Sequence, residues 1–376
     1  MKRPFVRQHG ILVDSYQDIS GRRHQYMVAA SMLDEVLCED ERTQLVSELG
    51  SGIRTEGAAI YALSKEQSAD VLEGLLQSLQ QNNIAAPMAL KRFADDPRVP
   101  AALIDAVRRV PGDILANFAQ VVGLVGGEGA EEALHHRLEE LLLKEQTFAD
   151  DVFFNAYAGS LSSVAEAILK LNPENEAAVQ ALVRLLVHPC AFNRRSVAMH
   201  ISELLQKSGV TKATQPLWEA IERLQQEDEP LVFLAAAPAL ALLHSDVVIA
   251  RCEALLDDLS KDVGEMALHT IVKLSISSPV KAEEILLRRI AKETSIHRLI
   301  EMSGFLIGRL PEEQGRAILR QALQDESPSL RLHGINLLSR LHMVQAARLA
   351  QEALADEPDP VLQKKLNAYI TRVDLS

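Results

Sequence analysis

The stretch Asp325-Glu-Ser-Pro328-Ser-Leu330-Arg331-Leu-His-Gly334-Ile-Asn-Leu337-Leu338-Ser-Arg-Leu341 decides the fold. Its acidic turn and Pro328 open a helix, because a proline's fixed φ suits the first helical turn and its missing N–H is not needed there. Leu330, Gly334, Leu337, Leu338 and Leu341 then recur with the period of one helix face. The same frame returns at Asp356-Glu-Pro-Asp-Pro360-Val-Leu362, followed by Leu366, Tyr369, Ile370 and Val373. Pro328 and Pro360 stand 32 residues apart. A turn-plus-helix unit repeated at that distance is one module of a helical array.

Upstream the frame recurs with variation. Asp95-Asp96-Pro97 precedes Leu103, Ala106, Val107 and Val110, and Asp150-Asp151 precedes Phe153, Tyr157, Leu161 and Val164. His188-Pro189 precedes Arg194, Val197, Ile201 and Leu204, and Glu229-Pro230 precedes Val232, Ala236, Leu240 and Leu243. Asp258–Asp262 precedes Val263, Ala267, Ile271 and Leu274, and a weaker copy holds Ile296, Ile300, Gly304 and Ile307. A second amphipathic helix follows each, with a period of roughly 31–41 residues.

These residues carry a family resemblance. Asp325-x-x-Pro328-x-Leu330-Arg331-x-x-Gly334-x-x-Leu337-Leu338 resembles the HEAT repeat, especially the bacterial variety also found in phycobilin lyases. The resemblance covers about residues 65–373. It implies an all-α, right-handed α-solenoid of roughly eight helix pairs. In that family the helix after the turn lines the concave face, and most members bind proteins. Several copies here lack the proline or the arginine, and Pro238 falls inside a helix, where it removes a hydrogen bond to the Leu234 carbonyl and predicts a kink.

Residues 1–66 do not fit the repeat and are expected to form an atypical N-terminal cap or docking segment on a solenoid of residues 67–376. Met1–Ser20 reads as extended or loose, and Arg22–Leu37 as helical.

Bulk composition narrows the function classes. The hydrophobic fraction of 47% is ample for a core, and aromatics at 4% favour helices over a sandwich or barrel. A net charge of −13, from 52 acidic and 39 basic residues, argues against a nucleic-acid coat. Three widely spaced cysteines, Cys38, Cys190 and Cys252, form neither a disulfide framework nor a metal spacing, so a reducing cytoplasm is expected. Ile11–Val13 is too short for a signal peptide, and the uncharged run Leu231–Leu243 is too short to span a bilayer.

No catalytic residue, cofactor or metal site is expected. Glu132-x-x-His135 has no second copy to complete a dimetal site. Gly123-x-x-Gly126-Gly127-x-Gly129 joins two helices, so it reads as a helix stop rather than a phosphate loop. The face opposite the core stripe is more informative. In four successive copies it carries Leu234; Leu268, His269 and Val272; Met302 and Phe305; and Leu332 and Ile335. That set predicts a partly apolar concave face that binds another protein as a helix or extended peptide; a homodimer seam, or a cover formed by residues 1–66, would fill it equally well. Arg194 and Arg195 are candidates for contact with an anion or an acidic partner segment. The alternatives to a non-catalytic scaffold are a chromophore-lyase-like accessory subunit and a HEAT-like nucleic-acid-binding protein.

Overall fold

A computed structural model describes residues 2–8, 11–17, 23–33, 37–52, 55–145, 151–208, 214–258, 260–274, 279–293, 296–307, 310–341 and 343–374. Among them are three strands and nineteen α-helices. They form two compact units, Glu39–Thr270 on one hand and Met1–Cys38 with Ile271–Ser376 on the other.

Among its described residues, the first of these units, Glu39–Thr270, contains helices and no strand. Its helices are α1 (Glu39–Glu48), α2 (Glu56–Ala62), α3 (Ala69–Gln80), α4 (Ala86–Leu90), α5 (Arg98–Arg109) and α6 (Leu115–Val125). They continue as α7 (Ala130–Glu145), α8 (Asp151–Leu171), α9 (Glu176–Leu186), α10 (Ala191–Ser208), α11 (Gln215–Arg223) and α12 (Pro230–Leu255). Neighbours in sequence pack together, and so do helices two apart: α2 on α4, α4 on α6, α6 on α8, α8 on α10 and α10 on α12. On the other side α1 packs on α3, α3 on α5, α5 on α7, and α9 on α11. This i, i+2 stacking produces two layers, even and odd, and is the packing of a helical repeat array. The stacking includes α1 and α2, which precede residue 66.

Side chains of the periodic stripes fill the space between layers. Leu103, Val107, Phe118, Val122, Val164 and Ile168 are all fully buried. Each such side chain contributes about 1.5–3 kcal/mol relative to exposure. Gly123 lets two even-layer helices approach closely, since a Cβ there would fall 2.7 Å from the Ala167 Cα. Gly126, Gly127 and Gly129 have φ of +73°, +120° and +78°, which end α6 in a conformation that L side chains resist. The kink expected at Pro238 lies elsewhere: the helical path breaks at His244 (φ −139°, ψ 54°), and Pro238 is accommodated within the preceding helix. Pro230–Leu255 is long and apolar enough to cross a membrane by composition, but it is interrupted at His244 and its apolar window is mostly buried.

The second unit contains α14 (Pro279–Ile290), α15 (Ile296–Leu306), α16 (Glu312–Leu323), α17 (Pro328–Leu337), α18 (Met343–Leu354) and α19 (Pro360–Asp374), while α13 (Lys261–Leu274) straddles the boundary. The stacking rule holds again, with α15 on α17, α17 on α19 and α16 on α18. The N-terminal segment is not helical at Arg23–Ala29. It is an antiparallel sheet in the order β1 (Val6–Gln8), β2 (Ile11–Gln17), β3 (Arg23–Ala29). The register pairs Leu12 with Val28 and Asp14 with Tyr26, so these four share one face of the sheet.

That face rests on the last repeats. Tyr26 meets His333 edge-on with ring centroids 5.9 Å apart, and the Phe5 ring lies 6.2 Å from Tyr26. Asp14, only 5% exposed, accepts hydrogen bonds from the Ser327 and Ser329 hydroxyls at 2.5 and 2.8 Å. The Phe5 amide donates to Asp359 at 2.6 Å, and Asp359 also caps α19 through the Val361 and Leu362 amides. The strand segment of the expected cap thus docks on the C-terminal repeats.

Candidate functional site

The eight side chains expected to line an open groove are mostly core. Leu234, Leu268, Val272, Met302, Leu332 and Ile335 are all buried, none of them more than 6% exposed. His269 is exposed, and the Phe305 side chain lies outside the described residues. The physical reason is the stacking itself. A helix in a two-layer array touches its sequence neighbour on one side and the helices two before and two after on the flanks, so only a narrow stripe stays open. The direction of these side chains was legible at 100° per residue; what stands opposite them was not.

Arg194 turns out to be a clamp. Its Nε and Nη2 donate to the two Glu227 carboxylate oxygens at 2.9 and 3.0 Å, and its Nη1 donates to the His188 and Pro189 carbonyls at 2.7 Å. The fork ties its own turn to the turn of the next repeat. Burial alone would raise the Glu227 pKa, but the hydrogen bonds and charge of Arg194, with the charge of Arg251, hold it below its ordinary value. Arg331 repeats the arrangement with full burial. Its Nε and Nη2 donate to Glu357 at 2.8 and 2.9 Å, its Nη1 to the Asp325 and Glu326 carbonyls at 2.9 Å, and its Nη2 also to the Arg3 carbonyl at 2.6 Å. All five guanidinium donors are used. Several of the turn residues recognised in sequence, His188, Pro189, Asp325, Glu326 and Glu357, are thus acceptors in these clamps, whereas Glu227 is not among them.

Arg195 has a different setting. It is half-buried, with its Nη2 4.0 Å from the Met266 sulfur, and it lies between Phe192 and Met199 at i, i+3 and i+7 of α10. That spacing is one helix stripe. Phe192 is 57% exposed and Met199 50%. Other even-layer helices expose large apolar side chains too: Tyr61 on α2, Met88 on α4, Leu124 on α6, and Leu242 and Leu243 on α12. His135, whose Glu132-x-x-His135 spacing is not expected to form a metal site, contacts the Asn175 side chain at 2.5 Å. Among the described residues no group of three or more His, Cys, Asp or Glu could hold a metal ion.

No family model matches the chain. No curated protein sequence matches it either. Among solved structures it is similar to a chain from the "Structure of the Pds5-Scc1 complex and implications for cohesin function", with 10% identity over 90% of this chain and 62% of that one and a TM-score of 0.26. The chain thus spans less than two thirds of that neighbour's length. The repeat architecture rests on the helix stacking described above.

Proposed function

We propose that this chain is a non-catalytic, cytoplasmic protein-binding scaffold of the HEAT-like type. Its recognition surface is the even layer of Glu39–Thr270, and its occupant is a helical or extended segment of another protein. The reading is supported by one observation above all: the α10 stripe keeps two large apolar side chains, Phe192 and Met199, half in water on either side of Arg195. Burying both against a partner would contribute a few kcal/mol, on the scale of ~25 cal/mol per Å² of apolar surface. Arg195 would add selectivity for an acidic residue between two apolar anchors. The cytoplasmic placement is supported by three cysteines that form no disulfide.

Affinity capture tests it. Wild type and the Phe192→Glu, Met199→Glu double variant are compared, with circular dichroism confirming that the variant is folded. A protein retained by wild type and lost by the folded variant supports the reading. The same protein retained equally by both places recognition elsewhere.

A further inference from the structure

Arg92 makes no hydrogen bond to a carboxylate of the kind that Arg194 and Arg331 hold, although the charge of Glu66 acts on it. Arg92 lies in the short 3₁₀ turn Lys91–Phe93 after α4. Its Nη1 donates to the Ser64 carbonyl at 2.9 Å, and its guanidinium stacks 5.1 Å from the Phe93 ring centre. Its Nε and Nη2 meet no acceptor and are closed off from solvent. In Arg194 and Arg331 that same Nε–Nη2 edge grips a glutamate in two parallel hydrogen bonds. The Ser64 hydroxyl, beside Arg92, is likewise buried without a partner. Buried donors of a charged group left unmatched are costly, and an in-plane carboxylate is their natural complement.

A cavity of about 500 Å³ lies between α2 and α4 with Arg92 in its wall, although the Nε–Nη2 edge itself is closed off from it in this conformation. Its wall is apolar, formed by Ile60, Tyr61, Met88 and Ala89. A Cβ built on Gly57 would meet nothing within 4 Å, so the space continues over the first turn of α2. Its polar lining is Ser64, Lys91 and Arg92, and among the described residues no acidic one lines it, in a chain whose net charge is −13. The volume falls in the range of small-molecule sites.

We propose that this cavity binds a monocarboxylate carried on an apolar chain. The carboxylate takes the Nε–Nη2 edge of Arg92 after a turn of that flexible side chain, and the Ser64 hydroxyl donates to it. The hydrocarbon lies along Ile60, Tyr61 and Met88. A phosphate or other wholly polar anion would leave that wall wet. The cavity lies on the same even layer, but no residue of the α10 stripe lines it.

Isothermal titration with decanoate, below its micellar concentration, and with decanol as the uncharged control tests the proposal on the full chain. Decanoate is expected to bind wild type at least about tenfold more tightly than decanol, since a charge-assisted pair contributes about 1.5–3 kcal/mol. Arg92→Leu should remove that preference. Gly57→Leu should fill the cavity and abolish binding of both probes while leaving Arg92, and the helical circular dichroism, unchanged. The second variant decides the matter even where Arg92→Leu fails to fold. Failure of wild type to bind decanoate, equal binding of decanoate and decanol, or wild-type binding by folded Gly57→Leu would each overturn the proposal.

Discussion

Replacing Arg331 with methionine should open the second unit locally. Arg331 is 0% exposed, and its partner Glu357 has a side chain 1% exposed. Methionine fills part of the volume but removes all five hydrogen bonds. Glu357 is left as a buried carboxylate with the Asp359 amide at 3.1 Å as its remaining donor. Breaking a buried pair from one side costs about 3–5 kcal/mol, because the surviving charge keeps its desolvation penalty. Three carbonyls, those of Arg3, Asp325 and Glu326, lose their donor as well. Hydrogen exchange should therefore show protection of the α17 and β2–β3 amides falling by roughly two to four orders of magnitude. Adding Glu357→Met should recover about 1 kcal/mol or more, since the stranded charge is gone. A loss below about 1 kcal/mol in the single variant, or no recovery in the double, would refute the clamp argument.

Three further outcomes follow from the geometry. Asp14→Ala removes the acceptor of two buried serine hydroxyls, so it should loosen the sheet from α17 by about 2 kcal/mol, read as faster exchange in β2 and β3 than in α3. The folded-state pKa of Glu227 lies below its ordinary 4.5, so its contribution to stability is full above that pH and is lost as pH falls through the lower, folded value; acid titrations of Arg194→Met should lack this component. Burial pushes the Cys252 thiol up to about 12, so a maleimide should label exposed Cys38 first and Cys252 only after unfolding; labelling of Cys252 in the native state would contradict its placement.

The helical array was legible because its signal is local. Pro328 and Pro360 begin α17 and α19 where the turn chemistry placed them, and the apolar stripe from Leu330 onward faces the neighbouring helices. The glycine run after α6 ended a helix as its spacing implied. What failed was non-local. Arg23–Ala29 has no clear alternation of apolar and polar residues, and it is a strand because β2 pairs with it and α17 covers it. The buried fate of Met302 and Leu332 goes with the stacking of α15 on α17, which a single-helix projection does not include. The clamps lay half in view: Arg194 and Arg331 were marked, but their partners Glu227 and Glu357 belong to the next turn, 33 and 26 residues on. Arg92 gave no sequence signal, because an empty guanidinium edge is a property of its surroundings alone.

Site-specific photocrosslinking tests the recognition surface most directly. A photoreactive phenylalanine analogue is placed at Phe192 or Met199 on the even layer, and at Leu143 on the odd layer, where the native side chain is 65% exposed. The account predicts one discrete crosslinked protein at 192 and 199, identified by mass spectrometry, and none at 143. Crosslinking of that same protein at 143 with none at 192 or 199 would contradict it.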